Sequence, residues 1–87
     1  MESPLNILLY PFVSEKAVGM IEKENKITFI VDDKATKEKI KEAMQEFYKV
    51  KVESINVIRD NKGRKRAIVR LKKEFKASEL ASKLGVM

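Results

Sequence analysis

Hydrophobic residues alternate with their neighbours in four segments of the chain, which is the period of a β-strand. The alternation across residues 5–9 predicts a first strand that Pro11 ends, because proline has no backbone N–H to donate. The other predicted strands are 27–31, 50–59 and 67–72. In the predicted strand 50–59, the apolar phase slips by one residue after Val52, which predicts a β-bulge near Ser54.

Three further segments repeat apolar residues at the spacing of one helix face. Ser14 is the predicted N-cap of a first helix that runs to about Glu24, and Thr36 is the predicted N-cap of the second. The apolar stripe of the second helix contains Ile40, Ala43, Met44 and Phe47. Phe47 is therefore expected to pack between this helix and the sheet. Ser78 is the predicted N-cap of a short last helix.

The resulting order, β-α-β-α-β-β followed by a C-terminal helix, predicts an α+β fold with one four-stranded, mostly antiparallel sheet and helices packed on it. The turn residues 60–63 connect the last two strands as a hairpin, and Gly85 is expected to end the last helix. A chain of 87 residues has room for one domain, so residues 1–87 are assigned to a single domain.

The residue types that most enzymes and metal sites use are missing. The chain has no cysteine and no histidine, which excludes disulfides, thiol nucleophiles, zinc sites of the usual kind and Ser-His-Asp catalysis. Its three glycines are isolated, so no glycine-rich phosphate loop is present. Asp32 and Asp33 end a strand, where aspartate usually bonds to the backbone, and they form no calcium-loop pattern with Glu38 or Glu42. We therefore predict no enzymatic activity, no cofactor and no metal.

The longest apolar stretch near the N-terminus, 7–13, is too short to span a bilayer and is interrupted by Pro11. It resembles neither a signal peptide nor a membrane anchor. A cytoplasmic location without membrane insertion is the expectation.

Positive charge is concentrated in one part of the chain. The whole chain carries a formal charge of +6, whereas residues 49–76 hold eleven basic and three acidic residues, a charge of +8, and the rest is −2. A basic segment beside a nearly neutral one is typical of proteins that bind a polyanion. The alternative is a lysine-rich solvated surface, as in proteins from hot environments.

The densest part of this segment is the predicted hairpin tip. Lys62, Arg64, Lys65 and Arg66 lie on or beside the turn, and Arg59, Arg70 and Lys72 extend the charge along its strands. Such cations repel one another unless an anion neutralises them, and as exposed charges they are expected to contribute little to folding. Folded RNA is the favoured partner, because no dimerising or base-reading helix is evident and residues 65–71 contain no aromatic ring for stacking bases. A solvated hairpin that resists aggregation is the alternative.

Several motifs are shared with a known family. The segment Pro11-Phe12-Val13-Ser14-Glu15-Lys16-Ala17 is similar to the Pro-x-Val-(Ser/Thr)-Glu-Lys-Ala opening of the large-subunit ribosomal protein twenty-three family. The similarity continues through Lys34-Ala35-Thr36-Lys37, Ile40 with Lys41 and Ala43, Phe47 with Val50-Lys51-Val52, Asn56-Val57, and Lys65-Arg66-Ala67 with Val69. It covers residues 5–72, and the short tip 60–64 and the ending 77–87 resemble archaeal members.

The resemblance implies a set of RNA contacts. Residues that match family motifs are Lys16, Lys34, Thr36, Lys37, Asn56, Lys65 and Arg66. Electrostatics alone adds Arg59, Lys62, Arg64 and Arg70. The expected ligand is large-subunit ribosomal RNA near the peptide exit tunnel, with neighbouring large-subunit ribosomal proteins around a monomer of this chain.

The resemblance also implies a docking role. Family members offer a patch to factors that meet the nascent chain, in bacteria trigger factor and generally the signal recognition particle and the protein-conducting channel. Glu15 and its neighbour Ser14 are the corresponding residues here. Helix capping by Ser14 and favourable helix electrostatics at Glu15 are the simpler explanations, and both can hold together with docking. A free-standing basic RNA-binding regulator without ribosome association is the alternative function.

Overall fold

The computed structural model describes residues 7–86 and forms one sheet of four strands with three helices around it. The strands are β1 (Leu8–Pro11), β2 (Lys26–Val31), β3 (Val52–Arg59) and β4 (Lys65–Leu71). The helices are α1 (Glu15–Glu24), α2 (Lys37–Tyr48) and α3 (Ala77–Leu84). This is the predicted order of elements, and the α+β class is confirmed.

The strands lie in the order β1-β2-β4-β3, and every neighbouring pair is antiparallel. The pairing of β3 with β4 shifts between Val52 and Ser54, so the predicted bulge is confirmed. Gly63 has a φ of 80° in the turn between these strands, a conformation that glycine adopts without strain. The predicted first strand began at Leu5, which lies outside the described residues, and β1 begins at Leu8.

The hydrophobic core lies between one face of the sheet and the helices. Alternate residues of β4, namely Ala67, Val69 and Leu71, are at most 1% exposed and pack in one cluster with residues of all three helices. Ile40 and Met44 are fully buried and make the contact of α2 with the sheet. We call this the inner face of the sheet. The residues between them in sequence point to the opposite, outer face.

The three helices begin in different ways. Ser14 caps α1 by accepting the Ala17 N–H at 3.1 Å, and Thr36 caps α2 by accepting the Lys39 N–H at 3.2 Å, as predicted. The prediction that Ser78 caps α3 is wrong, because that helix already begins at Ala77.

A residue from another element replaces the missing cap of α3. The side-chain oxygen of Asn25 accepts the Ala77 N–H at 2.7 Å, and its amide donates to the carbonyls of Leu71 and Phe75 at 3.1 and 2.9 Å. Asn25 itself ends α1 in the left-handed conformation, with a φ of 56°, which asparagine tolerates well. One side chain therefore joins the end of α1 to the start of α3.

The predicted position of Phe47 is wrong. Its side chain is 46% exposed, and Tyr48 instead packs against the core with its ring 5.8 Å from that of Phe29. The buried row of α2 follows the i, i+4 spacing Ile40, Met44, Tyr48, so the last turn contacts the sheet through Tyr48. Phe47 then covers the edge of the Tyr48 ring at a centroid distance of 4.8 Å.

Candidate nucleic-acid interface

The outer face of the sheet presents basic and apolar side chains in alternating rows. Arg66 lies in register between Ile30 and Ile58, and Arg70 lies between Lys26 and Ser54. Between these two rows, β4 places Ile68 beside Thr28 of β2 and Asn56 of β3. The side chains of Ser54, Asn56, Ile58 and Arg70 are exposed. Over β3 and β4, this face is therefore open to a large partner.

The chain between β1 and β2 covers the other half of the outer face. Thr28 and Ile30 of β2 are only 2% exposed although they point away from the core. Phe12, Ala17 and Met20 line a cavity together with Thr28, so the start of α1 and the residues before it lie over β2. Lys16 lines the same cavity as Arg66. The covered and open halves of the face thus meet at Arg66.

Arg66 and Arg64 are held in place by an aromatic ring and a carboxylate. The Arg66 guanidinium carbon lies 4.0 Å from the centroid of the Phe12 ring, and that of Arg64 lies at 5.6 Å. Asp60 Oδ2 accepts from Arg64 Nε at 2.9 Å and from an Arg66 nitrogen at 3.2 Å. The Asp60 side chain is 4% exposed and those of Arg64 and Arg66 are 33% and 23% exposed, so these pairs are partly shielded from water.

Two further cations of the hairpin, Lys65 and Arg59, turn to the opposite side of the sheet. Lys65 Nζ donates to the carbonyl oxygens of Asp33 and Ala35. Arg59 donates to Asp33 Oδ1 at 2.9 Å and to the Gly63 carbonyl at 2.8 Å. The hairpin tip is thereby attached to the loop between β2 and α2. That loop and the first turn of α2 carry Lys34, Thr36 and Lys37, all exposed.

The predicted contact residues therefore form two groups. An outer-face group contains Lys16, Asn56, Arg64, Arg66 and Arg70, and a tip group contains Lys34, Thr36, Lys37, Arg59, Lys62 and Lys65. Ser14 and Glu15 lie at the start of α1, where Ser14 lines the outer-face cavity and Glu15 is exposed. The strand alternation sends Arg66 and Lys65, which are adjacent in sequence, to opposite faces.

The hairpin cations differ from the prediction in one respect. Arg64, Lys65 and Arg66 were predicted to be exposed charges that need an outside anion and contribute little to folding. All three are partly buried, and Asp60 within the hairpin already neutralises two of them. Asp60 was predicted only as a turn residue. Its spacing of four and six residues from the two arginines is the signal that could have indicated the pairing.

Similarity to known proteins shows the family of this chain. A sequence model of the family described as ribosomal protein L23 matches residues 6–78. The chain is 41% identical over 81 residues to the large ribosomal subunit protein uL23 of Methanococcus aeolicus, which covers 93% of this chain and 94% of that protein. It is 52% identical over 75 residues to the large ribosomal subunit protein uL23 of Pyrobaculum aerophilum, covering 86% and 93%. The chain belongs to the ribosomal protein L23 family.

Both of these L23-family relatives are archaeal, which confirms the resemblance to archaeal members. The match from residue 6 to residue 78 contains every motif on which the resemblance was based. The hairpin turn of this L23-family chain is short, since β3 ends at Arg59 and β4 begins at Lys65. No helix within residues 7–86 is long and apolar enough to cross a bilayer.

In this L23-family chain, the pKa of the Asp60 carboxyl depends on contacts within the hairpin. Burial by itself would raise the pKa of its carboxyl. The N–H groups of Arg64 and Lys62, at 3.0 and 2.9 Å, and the guanidinium groups of Arg66 and Arg64 outweigh that effect and hold the pKa below its usual value. The ionised form is therefore the one that the folded hairpin stabilises.

We expect acid to weaken the hairpin through this group. A carboxyl whose pKa is lower in the folded than in the unfolded state contributes stability above its unfolded pKa, roughly 3.9, and the contribution is lost as the pH falls through the folded value. The Asp60→Asn variant keeps an oxygen for the turn but not the charge. Its unfolding free energy, measured by urea titration from neutral to acidic pH, should be lower than that of the parent at neutral pH and should change less below about pH 4. The exposed Glu74, replaced by Gln, is the control. Equal pH profiles for Asp60→Asn and the parent would contradict this role.

Proposed function

We propose that this protein is a component of the large ribosomal subunit, where it binds large-subunit ribosomal RNA near the peptide exit tunnel. The observation that carries the proposal is the open half of the outer sheet face. Arg66 and Arg70 lie on this half and Lys16 lies at its border, while the carboxylate of Asp60 is bonded to Arg64 and Arg66. Family membership and the names of both archaeal relatives support it.

The geometry suits folded RNA better than a single strand. The ring of Phe12, which lies beside the open face, is already stacked by Arg66 and does not offer a platform for successive bases. Cations on a rigid sheet and at a hairpin tip can contact phosphates and ribose hydroxyls across a shaped RNA surface. The tip group provides the second row of such contacts, because Lys65 and Arg59 join the hairpin tip to the loop between β2 and α2.

Sedimentation tests this assignment. Tagged protein expressed in its native host should travel with the large ribosomal subunit in a gradient and remain there after a moderate salt wash, since partly buried contacts are screened less than surface contacts. Protein that stays at the top of the gradient and still binds many RNAs would instead favour a free-standing regulator. Neighbouring ribosomal proteins would be identified by cross-linking in the same fraction.

We further propose that Ser14 and Glu15 form part of a docking site for factors that act on nascent chains, among them the signal recognition particle and the protein-conducting channel. Glu15 has the wrong charge for a phosphate contact and is exposed at the first turn of α1. It is therefore available to a basic group on a partner. Val13, 56% exposed beside it, adds an apolar contact to the same patch.

A Glu15→Ala variant should assemble into large subunits normally and lose at most about 1 kcal/mol of unfolding free energy, because only the helix dipole interaction is removed. The association rate of purified signal recognition particle with mutant ribosomes should fall, and the defect should be larger at low salt than at high salt. Glu22→Ala, a change of the same charge on the exposed part of the same helix, is the control. Association rates at low salt equal to those of the parent would reduce Glu15 to a helix-start residue.

A further inference from the structure

A cavity of about 150 Å³ lies at the point where the covered and open halves of the outer face meet. Its walls include the side chains of Met20, Ile58 and Ile68, so it is largely apolar. Lys16 and Arg66 are its two charged lining residues, and both are positive. An enclosed apolar cavity of about this volume admits benzene in another protein, which shows that a single aromatic ring fits such a space.

Two polar atoms beside this cavity are buried and have no hydrogen-bond partner within residues 7–86. They are the hydroxyl oxygen of Thr28, whose side chain is only 2% exposed, and Nε of Arg66. Both residues line the cavity. Buried polar groups are nearly always paired, because an unpaired one forfeits its hydrogen bonds to water. An unpaired hydroxyl and an unpaired N–H on two residues that line one cavity indicate a ligand that carries hydrogen-bonding groups on its edge.

The Arg66 side chain is not free to turn toward solvent, where its Nε would donate a hydrogen bond to water. Its guanidinium lies on the Phe12 ring, and its terminal nitrogen is bonded to Asp60. These contacts fix the plane of the guanidinium and leave Nε as a donor of defined position. The backbone of Thr28 is fixed as well, because Thr28 pairs with Ile68 of β4.

We propose that this cavity receives one unstacked nucleobase of the bound RNA, an inference that rests on the RNA binding proposed above. The apolar walls would contact the faces of the base, and Arg66 Nε and the Thr28 hydroxyl would bond to its edge. Lys16, exposed at the rim, is placed to reach the phosphate of the same nucleotide. An apolar side chain from a protein partner fits less well, because it would leave both buried polar atoms unpaired and would not complement two cations.

Nucleotide titration followed by NMR tests the ligand class. The four nucleoside monophosphates, added separately at millimolar concentration, should shift the methyl signals of Met20, Ile58 and Ile68, and at least one base should be preferred. Inorganic phosphate should leave these methyl signals unchanged. The buried methyl of Ile40, in the core on the other face, is the internal reference. Methyl shifts from acetyl-phenylalanine amide with none from any nucleotide would overturn the proposal in favour of a protein side chain, and no shift from either would overturn it outright.

A Thr28→Val variant separates the cavity from RNA binding in general. Valine keeps the shape of threonine and removes the unpaired hydroxyl, so the protein should be as stable as the parent or more stable. Its affinity for large-subunit ribosomal RNA should nevertheless fall roughly threefold to tenfold through loss of one hydrogen bond. Ser82→Ala, which removes an exposed hydroxyl from α3, should bind like the parent. If the parent does not bind the RNA, the proposed function itself fails; if the parent binds and Thr28→Val binds equally well, only the nucleobase site is wrong.

Discussion

A Phe29→Ala variant is expected to lose most of the stability of this domain. Phe29 is fully buried at the centre of β2, pairs with both neighbouring strands and stacks on Tyr48. Truncating a buried phenylalanine costs about 3 to 5 kcal/mol, which is a large part of the roughly 5 to 15 kcal/mol that stabilises a small protein. The thermal midpoint should therefore fall by tens of degrees, as measured by circular dichroism or calorimetry.

Phe47→Ala is the matched control, because it removes the same ring from the partly exposed end of α2. Its contact is the edge of the Tyr48 ring, and pairs of this kind contribute about 0.5 to 1.5 kcal/mol. The midpoint should shift only by several degrees. If Phe47→Ala were as destabilising as Phe29→Ala, the last turn of α2 would have to face the sheet through Phe47 after all.

Combined replacement of Lys16, Lys62 and Arg70 by alanine is expected to cause the largest loss of RNA affinity without unfolding the protein. All three side chains are exposed, and the ion pair of Arg70 with Glu53 is a long surface contact at 3.9 Å. Their loss should thus leave the thermal midpoint nearly unchanged. If each contacts one phosphate, the plot of log affinity against log salt should become less steep by roughly 0.7 to 0.9 per residue removed.

A second triple variant controls for total charge. Lys41, Lys73 and Lys83, which lie on α2, before α3 and on α3, are also exposed and carry the same charge on other parts of the molecule. Their replacement by alanine should reduce affinity much less. Equal losses for the two triple variants would mean that the protein attracts RNA through net charge and not through the outer face and hairpin tip. Replacing Arg64, Lys65 and Arg66 is a poorer test. Arg64 and Arg66 are bonded to Asp60, and Lys65 is bonded to the loop between β2 and α2, so the replacement would also disturb the fold.

The basic residues of the candidate interface were identified from the sequence, but their arrangement in space was predicted only in part. The basic segment and its hairpin were evident, because charge density and turn residues can be read directly along the chain. That Arg66 and Lys65 serve opposite faces followed from strand alternation once the register was known. It was not predicted that the Phe12 ring and the Asp60 carboxylate position Arg64 and Arg66. Phe12 is distant from these arginines in sequence, and Asp60 reaches them only once the hairpin has formed.

The sequence by itself determined the elements that depend on neighbours in the chain. The order of strands and helices, the caps at Ser14 and Thr36 and the bulge after Val52 all arise from hydrophobic periodicity or from hydrogen bonds within a few residues. Family motifs in residues 6–78 are likewise local patterns, so membership in the ribosomal protein L23 family was already evident there.

Only the tertiary structure decided which side chains serve elements that are distant in sequence. Asn25 provides the cap that Ser78 was predicted to provide, because packing of α1 beside the end of β4 brings its amide to Ala77. Tyr48 takes the buried place predicted for Phe47, because the position of β2 decides which of two adjacent rings meets the core. Thr28 and Arg66 converge on one cavity only after β2 pairs with β4 and α1 covers the edge of the face. Such outcomes depend on three-dimensional distances between segments, which hydrophobic periodicity along a single chain does not contain.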